Sequence, residues 1–134
     1  MNVLVDTSVW SLALRRALRI ADRRTSELAP LIKEGRAFLI GPVRQELLSG
    51  IRDSAQFELL RQSLRTFPDL AIREPDYEEA AAFFNRCRAR GIQGSHTDFL
   101  ICAVAARRSM SILTADRNFI AFAQVLPIEL HQTS

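Results

Sequence analysis

Short apolar runs alternate along this chain with longer segments of helical periodicity. That alternation predicts an α/β fold built on a central, mostly parallel sheet. Val3, Leu4 and Val5 form a short buried strand. Residues 7–20 then read as a helix, with Val9, Leu12, Ala13, Ala17 and Ile20 on one face and Trp10, Leu14, Leu18 and Ala21 on a second apolar stripe. A surface helix needs one such stripe, which leaves the second for a partner chain. A helix over about 25–34 stops at Gly35, and Ala37, Phe38, Leu39 and Ile40 make the next strand. Gly41 and Pro42 open a helix ending near Gly50, with Pro42 suited to its first position. Further helices are expected over 54–66, 75–90, 98–109 and 117–124, with strands at 70–72, 111–114 and 128–130.

The chain has 134 residues without repeats or low-complexity stretches, so residues 1–134 read as one domain. A chain of this length buries about two-thirds of its unfolded surface and needs no disulfide to fold. An apolar fraction of 48% with 25% charged residues is ordinary for a soluble globular protein. The longest apolar run, 99–106, is far too short to span a bilayer. The opening residues lack a basic region ahead of an apolar stretch, which predicts a cytoplasmic protein. Cys87 and Cys102 have no C-x-x-C spacing, so they read as reduced, packed thiols rather than zinc ligands.

The net charge is +3, and Lys33 is the only lysine among 18 basic residues. The guanidinium fork matches phosphate oxygens, so this bias suits a nucleic-acid ligand. Codon usage in a GC-rich genome produces the same bias, and charge alone does not decide. Arg15, Arg16, Arg19, Arg23 and Arg24 form a basic run that suits an RNA backbone, an acidic partner segment or plain solvation equally.

Of the 15 acids, eleven fall on segments that read as polar and solvated, Asp69 and Asp76 among them. The other four are Asp6, Glu46, Asp98 and Asp116. Asp6 follows the first strand directly, and Asp116 lies just past the strand at 111–114. Glu46 sits early in the helix after the strand at 37–40, beside the apolar face of Val43 and Leu47. Asp98 opens the most apolar helix. Strand C-termini in a parallel sheet share one edge, where ligand sites of open α/β folds form. Asp6, Glu46 and Asp116 converge there, and Asp98 joins them if its helix starts on that side. Clustered carboxylates repel one another unless a cation compensates. An all-oxygen set favours Mg²⁺ or Mn²⁺ over zinc. Each acid also has a plain structural reading: helix caps for Asp6 and Asp116, a dipole contact for Asp98, and an ion pair with Arg44 or another arginine for Glu46.

The same four positions carry a pattern. The stretch Val3-Leu4-Val5-Asp6-Thr7-Ser8-Val9-Trp10 resembles the opening of PIN domains, a strand followed by D-T/S-[SN]. Pro42-Val43-Arg44-Gln45-Glu46-Leu47 resembles the family's second acid. Thr97-Asp98-Phe99-Leu100-Ile101-Cys102-Ala103 resembles its D-x-L-I-A-A helix, and Ile112-Leu113-Thr114-Ala115-Asp116-Arg117-Asn118-Phe119 its ending. The resemblance spans residues 2 to about 130. It implies an α/β/α sandwich and RNA cleavage dependent on Mg²⁺ or Mn²⁺. By position, Asp6, Glu46, Asp98 and Asp116 would be catalytic, metal-binding carboxylates, with Thr7, Thr114 and Asn118 as supporting groups. Asn118 departs from members that carry a further Asp, which lowers the charge available for a second metal. Small members resemble VapC-like toxins, which form homodimers and are silenced by a cognate antitoxin protein.

His96 is either a substrate or metal contact or, more simply, a packing residue, and Ser95 and Thr97 read as helix caps. Two alternatives to the nuclease come from other classes. A phosphate-accepting receiver domain wants paired acids after its first strand and a late lysine, which Asp6 and Lys33 do not provide. A catalytically silent PIN-like scaffold binding RNA or protein would keep the fold without the reaction. The same metal chemistry also serves DNA, because it does not itself select ribose.

Overall fold

The computed structural model describes residues 1–14 and 23–132. The elements follow as β1 (Val3–Val5), α1 (Thr7–Leu14), α2 (Arg23–Lys33), β2 (Ala37–Ile40), α3 (Gly41–Leu48), α4 (Ser54–Leu64), β3 (Asp69–Leu70), α5 (Glu74–Ala89), α6 (His96–Arg107), β4 (Ser111–Leu113), α7 (Asn118–Val125) and β5 (Glu129–Leu130). The sheet runs β3-β2-β1-β4-β5, and every neighbouring pair is parallel. The chain moves outward from β1 through β2 to β3, then returns to lay β4 and β5 on the other side. The winding direction reverses between β1 and β4, so the C-terminal ends of these strands frame a crevice.

Successive strand side chains point to opposite faces. Val3, Leu4 and Val5 are all fully buried, so both faces of the sheet are covered at β1. Two groups of helices supply the cover. α1 packs on α2 and α3, and α3 on α4; α5 packs on α6 and α7, and α6 also meets β1. The α/β fold with a parallel sheet read from the sequence is the observed one.

Local chemistry sets the element ends. Asp53 accepts from the Gln56 amide at 3.1 Å and starts α4. Ser95 Oγ accepts from the Asp98 amide at 3.0 Å, and Asp98 Oδ2 accepts from the Ser95 amide at 3.1 Å. This reciprocal capping box starts α6 and bears out Ser95 as a cap. α5 stops where Gly91 takes φ of +75°, a left-handed conformation suited to glycine. Gly94 serves a different need: a Cβ there would stand 2.5 Å from Phe122 Cζ. Phe122 lies in the core between Phe99 and Phe119, with ring centroids at 4.9 and 5.1 Å.

Three expectations change. Trp10, assigned to a stripe awaiting a partner chain, is buried within its own chain. Its Nε1 donates to the Val5 carbonyl at 3.2 Å and its ring packs on Phe67 at 5.1 Å. The rest of that stripe beyond residue 14, and the far part of the first helix, lie outside the described residues. β3 sits at Asp69–Leu70 rather than 70–72, because its neighbour β2 ends at Ile40, opposite Leu70, and the Ala71 carbonyl accepts from the Arg108 guanidinium instead. Asp76, read as solvated, is only 3% exposed. Its Oδ1 accepts from Arg107 Nε at 2.9 Å, and its Oδ2 from the Arg73 amide at 2.9 Å and from Arg108 at 3.2 Å. Burial pushes this carboxyl up, but the Arg73 amide and the two guanidiniums outweigh it and hold the group below the usual range. Cys87 and Cys102 are buried free thiols, as read.

Candidate functional site

Asp6 is the first residue past β1, and its amide donates to the Leu113 carbonyl at 2.9 Å, fastening it to β4 at the crevice. The side chain is 4% exposed. Its Oδ2 accepts from Ser8 Oγ and from Thr114 Oγ1, both at 2.8 Å, and the Thr7 amide donates to the same carboxylate. Each hydroxyl then accepts from the turn after β4: Ser8 Oγ from the Ala115 amide and Thr114 Oγ1 from the Asp116 amide, both at 2.9 Å. Asp6 is thus the knot that ties the turn after β1 to the turn after β4.

Asp116 lies in that second turn, half-buried, and its Oδ1 accepts from the Asn118 amide at 2.9 Å. Glu46 projects from α3 beside the buried Val43 and Leu47. The expected pairing with Arg44 is not formed, because Arg44 Nε donates to Asp69 Oδ1 at 2.8 Å. Glu46 Oε1 instead accepts from Thr7 Oγ1 at 2.7 Å, which holds it beside the Asp6 turn. Asp98 occupies the first turn of α6, at the crevice end of that helix, and doubles as the capping-box acid.

Burial pushes the Asp6 carboxyl above its usual range, and the charge of Asp116 adds to this, against the hydroxyl bonds from Ser8 and Thr114. Burial likewise raises Asp98, and both Asp6 and Asp116 push it further. Asp6, Asp98 and Asp116 therefore share one field, and Glu46 joins them through Thr7. The donors are all hard oxygens, a set whose chemistry fits a hard divalent cation. As they stand, among the described residues, no group of three acids, histidines or cysteines is close enough to hold one ion. Asp98 and Asp116 each give an oxygen to a backbone amide instead.

Ser8 was not among the expected site residues, although it stands in the D-T/S-[SN] stretch, and that position was the available signal. His96 stacks on Phe84 at 5.2 Å and 20°, the packing role. The side chains of the basic run 15–24 lie outside the described residues. Among the described residues no helix is long and apolar enough to cross a membrane.

The sequence matches the PIN domain family model over residues 3–125. No curated protein matches it. Solved structures are similar over nearly the whole chain. FitAcB from Neisseria gonorrhoeae is 23% identical, covers 96% of each chain and superposes with a TM-score of 0.74. VapBC2 from Rickettsia felis, bound to a DNA fragment from its promoter, is 15% identical over 98% of each chain, with a TM-score of 0.76. VapBC-1 from nontypeable Haemophilus influenzae is 13% identical over 98% of each chain, with a TM-score of 0.74. At these identities the likeness speaks for the fold.

Proposed function

Because the chain belongs to the PIN domain family, we propose that it is a metal-dependent endoribonuclease acting in the cytoplasm as the toxin of a toxin–antitoxin pair. The observation that carries this reading is the shared field of Asp6, Asp98 and Asp116 at the β1–β4 crevice, with Glu46 tethered through Thr7. Mg²⁺ or Mn²⁺ held by Asp6, Glu46, Asp98 and Asp116 would supply an activated water and neutralise charge on the scissile phosphate. The chain's own residues do the positioning. Ser8 and Thr114 fix Asp6 in one orientation, so it is the anchor of the set. Thr7 steers Glu46, and the Asn118 amide steers Asp116. Asp98 comes from the rigid start of α6, where its capping bonds limit its swing. No side chain needs to act as a nucleophile.

The similar solved chains belong to VapBC and FitAB assemblies, which supports a second protein, the antitoxin, as partner. The resemblance to VapC-like toxins supports a homodimer. The test is incubation of the purified chain with RNA in Mg²⁺, Mn²⁺ and EDTA, with Asp6→Asn beside it. Cleavage that needs metal and vanishes in the variant is the expected result; full activity in Asp6→Asn sinks the assignment. A silent scaffold is the second reading, favoured by the oxygens that Asp98 and Asp116 commit to the Ser95 and Asn118 amides. Such a scaffold would leave RNA intact at saturating metal.

A further inference from the structure

A cavity of about 210 Å³ opens beside Asp116, between the β4–α7 turn and the end of β5. Asp116 itself forms part of its wall, so whatever fills the cavity adjoins the carboxylate site. Ile120 and Leu130 supply an apolar side, and Arg117 and Gln132 supply polar groups. Ile120 is 55% exposed, a large aliphatic side chain left in solvent next to a carboxylate. The sheet places the opposite wall: Ile112 pairs with Leu130, and the His131 amide donates to the Ile112 carbonyl at 2.7 Å. Gln132 and Thr114 line the same cavity beyond the ends of these two strands. His131 lines the cavity as well, and its Nε2 lies 3.4 Å from Glu27 Oε1.

The cavity is smaller than the pockets that take drug-sized ligands, so its occupant is a fragment of that size. The mixture of an apolar wall, a guanidinium plane and an amide with both donor and acceptor is what an unstacked base requires: faces to lie against and an edge to bond. We propose that this cavity is a nucleobase subsite, which takes the base adjoining the scissile phosphate of single-stranded RNA. The proposal rests on the nuclease reading of the neighbouring carboxylates. Ile120 and Leu130 bear on one face of the base, Arg117 covers it from the turn, and Gln132 reads its edge. The enzyme then selects its cleavage point partly by the identity of that base.

The test measures binding and cleavage separately. Labelled pentanucleotides of A, C, G and U, and a pentamer of abasic ribose phosphates, are titrated by fluorescence anisotropy onto the Asp6→Asn chain in Mg²⁺. The expected result is roughly tenfold tighter binding of at least one base over the abasic pentamer, the scale of one base contact. Ile120→Trp, which fills the cavity from an exposed position, brings every pentamer to the abasic level, and Gln132→Ala flattens the differences between bases. Equal binding of all pentamers, or base preference unchanged in both variants, overturns the subsite and leaves the exposed Ile120 to a protein contact. Cleavage by the parent chain indifferent to the flanking base also overturns it while the nuclease reading stands. Base-dependent binding with no cleavage under any metal does the reverse.

Discussion

Gly94→Ala is the sharpest test of how the aromatic core sets the position of Asp98. The added methyl would lie 2.5 Å from Phe122 Cζ and 3.1 Å from both Phe122 Cε1 and Phe99 Cε2. Carbon atoms in contact prefer about 3.5–4.0 Å, so something must move by about 1 Å. The Phe122 ring cannot swing away, because it is fully buried and wedged between Phe99 and Phe119. The strain therefore passes to the backbone of the turn, one residue before the Ser95 cap. Overpacking of this kind costs about 1–3 kcal/mol. For a domain of this size that lowers Tm by roughly 4–10 °C. Gly91→Ala is the control: its Cβ meets nothing within 4 Å, and only its φ of +75° is penalised, by about 1 kcal/mol. Thermal melts of both variants, followed by circular dichroism, decide the matter. Gly94→Ala should melt lowest and should also lose RNA cleavage out of proportion, because Asp98 moves with the cap. A Gly94→Ala chain that melts with the parent, or above Gly91→Ala, refutes the reasoning.

Other expectations follow from the charged groups. Burial raises Asp6 above its unfolded value, so its contribution to stability is fully present below the ordinary aspartate range and is lost as pH rises through the folded value. Metal-free Asp6→Asn should therefore melt higher than the parent at neutral pH, with the gap closing on acidification; a gap that does not change with pH refutes this. Mg²⁺ should stabilise the parent chain, by about 2.7 kcal/mol at a hundredfold excess over Kd, and Asp98→Asn much less, as read by melts with and without EDTA. Asp76→Ala leaves Arg107 and Arg108 without their carboxylate. Since both arginines are partly solvated, the loss should be about 1–3 kcal/mol in denaturant titrations. Ser8→Ala removes a donor to Asp6 and the acceptor of the Ala115 amide. It should cost about 1–2 kcal/mol and weaken Mg²⁺ binding measured by calorimetry.

The sheet was legible where apolar runs were short and bounded: Val3, Leu4 and Val5 announce β1, and Asp6 after them announces the crevice. The four carboxylates were legible by their places after strands and at helix starts. Their tethers were less so. Thr7 reaches Glu46 across 39 residues, and Thr114 reaches Asp6 across 108. Such bonds follow from sheet order, which periodicity does not encode. Asp76 went astray for the same reason: α5 looked solvated around it, while its guanidinium partners arrive 31 and 32 residues later at the end of α6. Trp10 shows the reverse error. A second apolar stripe was read as surface for a partner, when the chain's own Phe67 covers its first residue.

The two outermost strands, β3 and β5, are only two residues long. An unpaired strand edge is a template on which another chain can add, and long edges seed fibrils. Here the backbone offers almost no rail for that growth. Among the described residues the helices and their side chains offer far more surface for assembly than the strand edges do, and the fit of such surfaces can be selective.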